Sequence, residues 1–192
     1  LLRVGFVGEL GYEIHLPVNQ AQPVWTHLME QGAGAGLQPF GIEAQRLLRL
    51  EKGHLIVGHD TDALTNPLEA DLSWALADSK PFYVGSRSLQ IIQQRPLERQ
   101  LVGLRFPNHH PGPWPEECHL LYDGDQVIGR ITSVSSRSTL GGGIAMGFVH
   151  PDLAIPETAL QVQVTDGSRV PVEVSKLPFY DPENERQQLP EV

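Results

Sequence analysis

Carboxylates, imidazoles and glycine clusters are where this chain could do chemistry, and most of them read as structure. His109-His110 offers two imidazoles to a metal, but two ligands are too few for a usual site, and the flanking prolines point to a surface loop. Asp60-Thr61-Asp62 opens like a calcium loop, yet lacks the later glycine and the twelfth-position glutamate. A loop whose carboxylates cap the next helix is the simpler reading. Gly141-Gly142-Gly143 resembles a phosphate cradle with no helix behind it, as expected of a hairpin tip. There is no G-x-S-x-G elbow, Walker loop or H-E-x-x-H, and Cys118 is the only cysteine. An intrachain disulfide and a multi-cysteine metal site are thereby ruled out. The stretch that remains is Arg3-Val4-Gly5-Phe6-Val7-Gly8-Glu9-Leu10-Gly11-Tyr12-Glu13-Ile14, with two carboxylates among glycines and aromatics. Taken alone, Glu13 is a glutamate facing solvent on a half-buried strand.

The elements that must position these residues fall into two textures. Leu1 to Val7 and Tyr12 to Leu16 read as two strands around a tight turn at Gly8-Glu9-Leu10-Gly11. Asn19 is placed to cap a helix whose Ala21, Trp25, Leu28 and Met29 share a face, ending at the glycines from Gly32 to Gly36. A second helix is predicted from about Ile42 to Lys52, with Gly53 as its C-terminal cap. A turn of helix at Pro67 to Leu72 and a helix from Ser86 through Gln94 complete this part.

Beyond Pro96 the chain alternates apolar and polar residues at period two. Gln100–Phe106, His119–Tyr122, Gln126–Ser133, Ile144–Val149, Leu160–Thr165 and Arg169–Val174 read as strands. Asp123-Gly124 and Asp166-Gly167 supply hairpin turns. Six short strands with no helix between them suggest a small antiparallel barrel or sandwich. The polar residues from Glu183 onward read as a mobile tail.

Composition sets the outer limits. The chain has 192 residues, 40% hydrophobic and 19% charged, with 16 prolines and 19 glycines. That is ordinary for a globular protein rich in turns. A net charge of −9 argues against nucleic acid or an anionic membrane as partner. No apolar run approaches the roughly 18 residues that span a bilayer, and no signal peptide is visible. A cytoplasmic location is the expectation. Leu1-Leu2-Arg3-Val4 reads as the middle of a strand rather than a natural start.

The run from Arg3 to Ile14 resembles the R-x-G-[YF]-x-G-E-x-G-[YF]-E-[IV] segment of the glycine-cleavage aminomethyltransferase (T-protein) family. Further blocks follow in family order and spacing. They are Leu48-Arg49-Leu50-Glu51-Lys52-Gly53, Gly58-His59-Asp60-Thr61-Asp62, Asn66-Pro67-Leu68-Glu69-Ala70, Gly129-Arg130-Ile131-Thr132-Ser133, Ile144-Ala145-Met146-Gly147-Phe148-Val149 and Lys176-Leu177-Pro178-Phe179. The resemblance implies an α+β fold: part of a folate-binding domain at residues 1–96, a small antiparallel β-barrel at 97–182, and a polar tail at 183–192. It also implies that the N-terminal part of the family domain is absent here, and with it the aspartate thought to assist methylene transfer. The implied activity is transfer of a one-carbon unit from an aminomethyl or iminium donor to tetrahydrofolate. The donor would be a lipoyl carrier protein or a flavin oxidase domain.

In this family the second glutamate of the first motif binds the pterin, which carries over to Glu13. The pterin edge presents an amino group and a ring N–H side by side, and one carboxylate accepts both. Phe6 would pack against the pterin face, and Tyr180, beside the last block, is grouped with these two as folate-binding. No catalytic residue and no metal ligand is assigned. Gln45 stands where the T-protein has a folate-holding arginine. The run Leu50 to Asp62 is closer to the folate domain of the sarcosine oxidase α subunit. A non-catalytic relative that supports iron–sulfur proteins is the alternative, but its K-G-C-Y-x-G-Q-E motif lacks its cysteine here.

Overall fold

A computed structural model describes residues 1–77, 79–107 and 110–189. Six strands close into an antiparallel barrel: β1 (Gln100–Arg105), β2 (Leu120–Asp123), β3 (Gln126–Ser135), β4 (Ile144–Val149), β5 (Ala159–Gln163) and β6 (Arg169–Ser175). Around the barrel the order is β1-β4-β3-β2-β5-β6, which leaves no free sheet edge. The two Asp-Gly turns join β2 to β3 and β5 to β6, as their spacing predicts. Val102, Leu104, Leu121, Ile131, Ala145, Val149, Val162, Val170 and Val174 fill the interior.

Strand β4 is buried on both faces. Ala145 and Val149 point inward, while Ile144, Met146 and Phe148 join Leu101 and Leu50 in a second cluster outside the barrel. Leu50 comes from α2 (Ile42–Glu51), so this helix lies against the barrel wall. A bulge in β3 serves the same interface. Ile131 pairs with Gly147 and Ser133 with Met146, leaving Thr132 as the extra residue. Ile131 and Val134 then both face the interior, and Ser133 is turned out toward the helix. Gly103 of β1 is required for a related reason. A Cβ there would stand 2.8 Å from the Phe179 ring, which lies on the strand at that point.

The first part of the chain departs from its predicted elements in several places. Residues 1–16 form no strands; a single antiparallel bridge joins Leu2 to Glu13. Glycines at 5, 8 and 11 disfavour extended structure, and a lone two-stranded ribbon is marginal without a third strand. Helix α1 (Val18–Gly32) is capped by Pro17, with Asn19 inside it. Its apolar face is formed but not covered, for Trp25 and Leu28 are exposed. Helix α2 ends where expected, and Gly53 takes a positive φ of 68° beyond it. Residues 67–71 form turns rather than helix. Helix α3 (Ser86–Ile92) is preceded by Gly85 as its N-cap, at φ 92°, and stops two residues before Gln94. The tail also differs from a loose segment: residues 185–187 form a 3-10 turn.

Candidate functional site

Glu13 sits at the bridge, where the Leu2 and Glu13 amides each donate to the other's carbonyl at 2.9 and 2.8 Å. Its side chain is 58% exposed, and His15 Nε2 lies 3.0 Å from Oε2. The carboxylate therefore has one neighbour and open acceptor positions. Phe6, on the same segment, is 36% exposed. Its ring stacks on His54 with centroids 6.0 Å apart and planes 26° from parallel. His54 Nδ1 also lies 2.9 Å from the Phe6 carbonyl oxygen. The segment is thus fixed to the exit of α2.

Tyr180 reaches the segment from the far end of the chain. Its backbone amide donates to the Glu51 carbonyl at 2.9 Å, and its hydroxyl donates to Glu9. That hydrogen bond to Glu9, with burial adding to it, holds the Tyr180 phenol above its ordinary pKa. The fold brings Tyr180 to the loop that carries Phe6 and Glu13, but no hydrogen bond links it to Glu13. Gln45 is half-buried on α2, and its amide completes the helix by donating to Gly41.

The most buried polar group lies elsewhere, under α2. Arg49 (2% exposed) donates to Asp60 Oδ2 (0% exposed) at 2.7 Å, to the His54 carbonyl at 3.1 Å and to Ser133 Oγ at 2.6 Å. Ser133 in turn donates to Asp60 Oδ1 at 2.5 Å, and the Ile56 amide donates to Oδ2 at 2.8 Å. Burial works against ionisation of Asp60, yet these donors and the Arg49 charge hold its carboxyl below the ordinary value. Glu51 accepts from the Thr139 amide and hydroxyl at the β3–β4 connection. Consecutive polar residues of one helix end therefore join three segments. This cluster has both Asp60 oxygens taken by protein donors and leaves Arg49 Nε as its one buried donor without a partner among the described residues. It is scaffold.

Asp62, the other carboxylate of the calcium-like run, accepts from Leu64 and Thr65 and pairs with Arg99 at 3.0 Å. It caps a turn, with no helix after it. Among the described residues no three His, Cys, Asp or Glu side chains are grouped to hold a metal. His109 lies outside the described residues, and His110 Nε2 lies 3.0 Å from the Pro113 carbonyl. No helix among the described residues is long and apolar enough to cross a membrane. Beyond the predicted residues, the structure places Glu9, His15 and His54 at this segment. Glu9 was legible as the other carboxylate of the first motif, whereas nothing in the residue pattern marks the histidines.

The family model described as the GCVT N-terminal domain matches residues 1–80. That described as the glycine cleavage T-protein C-terminal barrel domain matches residues 99–181. An aminomethyltransferase of Halothermothrix orenii is 40% identical over 177 residues, covering 92% of this chain and 48% of the relative. One from Saccharopolyspora erythraea is 40% identical over 182 residues, covering 94% and 48%. The crystal structure of glycine cleavage system aminomethyltransferase T from Bartonella henselae superimposes with a TM-score of 0.77 at 29% identity, covering 92% of this chain and 48% of that one. The chain spans about half the length of the curated relatives it matches.

Proposed function

Because the chain belongs to the glycine cleavage T-protein family, we propose that it forms the pterin-contacting and barrel parts of a tetrahydrofolate-dependent aminomethyltransferase. The observation that carries this reading is Glu13: a carboxylate at the family's pterin position, held by paired backbone hydrogen bonds and open to solvent. This donor set fits a pterin. The Glu13 carboxylate accepts from the adjacent amino and ring N–H groups, Phe6 lies against the ring face, and Tyr180 forms a wall. Bound tetrahydrofolate supplies the amine nitrogens that take up the one-carbon unit. The protein's part is to hold those nitrogens beside the donor carbon, since correct placement alone removes several kcal/mol of barrier. The relatives named above are aminomethyltransferases, one of a glycine cleavage system, which favours an aminomethyl group on a lipoyl carrier protein over a flavin-derived iminium. A cytoplasmic location and the division at residues 1–96, 97–182 and 183–192 are parts of the same proposal.

Calorimetry on the intact protein tests it. Glu13→Ala is expected to weaken reduced-folate binding by roughly 2–4 kcal/mol, the scale for losing a desolvated charged contact. Glu13→Gln should also weaken it, because an amide presents one acceptor and one donor to two pterin donors. Unchanged affinity in both variants would place the pterin elsewhere.

A further inference from the structure

Residues 1–15 have no strand ladder, so something else must hold Glu13 in place. Apart from the Leu2–Glu13 bridge and His54, the ties come from the end of the chain. The Leu10 amide donates to the Arg186 carbonyl at 3.0 Å. Arg186 Nε lies 3.4 Å from Glu9, which also receives the Tyr180 hydroxyl.

The donor segment is itself rigidly built. Asp181 adopts φ 47° and caps the 185–187 turn, its carboxylate accepting from the Glu185 amide at 2.9 Å and the Arg186 amide at 3.3 Å. Buried Lys52 donates to the same carboxylate at 3.1 Å and to the Tyr180 carbonyl at 3.4 Å. Gly8, at φ 84°, packs against the Lys52 stem, where a Cβ would stand 2.9 Å from Cδ. One lysine at the end of α2 therefore holds the strap and supports the turn that the strap secures.

We infer that residues 180–187 are a positioning strap that fixes the Glu9–Glu13 segment and so sets the affinity for the pterin. This rests on the proposed role of Glu13. Apart from Tyr180, which the proposed function places beside the pterin, the strap touches no part of the ligand; it acts through Glu9 and the Leu10 amide. A binding segment that occupies its competent arrangement only a fraction of the time binds more weakly by that fraction. Loosening the strap therefore raises the folate dissociation constant without disturbing the barrel.

The test uses the intact protein with a stop after Pro182, and Glu9→Gln as the variant that keeps every backbone contact. Amide hydrogen exchange is followed at Leu10 and Glu13, with barrel amides of β1 and β4 as internal reference, and reduced-folate affinity is measured alongside. Shortening the chain should remove protection at Leu10 and Glu13, leave the barrel amides unchanged, and weaken folate by about tenfold if the competent population falls to a tenth. Glu9→Gln should move both quantities the same way by a smaller factor. Full protection at Leu10 and Glu13 in both variants would overturn the strap. Lost protection with unchanged folate affinity would overturn its link to the pterin. A wild-type protein that binds no reduced folate would instead remove the functional reading, and the exchange data alone would then decide the strap.

Discussion

At the residue scale the carboxylate proposed for the pterin differs in its surroundings from those built into the fold. Glu13 is exposed, with only His15 beside it, whereas Asp60 is wholly enclosed and accepts from Arg49, Ser133 and the Ile56 amide. Removing one partner of such a pair leaves an unpaired buried charge, so Arg49→Met should destabilise by about 3–5 kcal/mol in denaturant unfolding. The Asp60 carboxyl is held below its ordinary value. Its contribution is therefore complete above the unfolded-state value of about 3.9 and is lost as pH falls through the lower folded-state value. Asp60→Asn should flatten the dependence of stability on pH in that acid window while costing stability at neutral pH. An unchanged acid slope in the variant would show that other carboxylates govern it. Little of this was legible beforehand. Asp60 and Asp62 look alike in sequence, and their difference lies in distant partners: Asp60 meets Arg49 and the Ser133 that the β3 bulge turns outward, whereas Asp62 pairs with Arg99.

At the element scale, α2 is what joins the two textures of the sequence. The alternation beyond Pro96 exposed all six strands because a closed barrel has one interior, and period two reports it directly. The same pattern does not show that β4 is buried on its outer face as well. That burial depends on Leu50, more than ninety residues earlier, which no local periodicity encodes. The two strands expected at the N-terminus do not form, for the converse reason. Their residue types suit strands, but among the described residues no partner extends the bridge at Leu2 and Glu13 into a ladder. Leu50→Ala should accordingly cost about 2–5 kcal/mol, the range for opening a cavity in a packed cluster. It should do so while the inner barrel residues keep their packing, visible as unchanged methyl shifts at Val162 and Val170 and shifted signals at Met146. Equal disturbance of both sets would mean the two clusters are one.

For the molecule as a whole, burial is uneven. Its fully buried apolar residues come almost entirely from the barrel and the end of α2, and none comes from α1. Across the first 84 residues Trp25, Leu28, Leu37, Phe40, Ile42, Trp74, Phe82 and Val84 are all exposed. An isolated monomer seldom presents so many large apolar side chains, because each exposed one forgoes its share of roughly 25 cal/mol per Å² of transfer free energy. Glu13 is exposed as well, so a ligand there would stay hydrated and its hydrogen bonds would compete with water. The 192 residues expressed alone are therefore expected to bind a solvatochromic apolar dye, to self-associate with rising concentration, and to bind reduced folate weakly at most. In single-turnover assays with tetrahydrofolate and a competent aminomethyl donor they should show no transfer. Sedimentation and dye titration read the surface, and the turnover assay reads the chemistry, so the two can fail separately. A monodisperse monomer that excludes the dye would mean the apolar residues find cover within this chain. Folate-dependent transfer at the rate of an intact family enzyme would show that these residues hold the whole reaction.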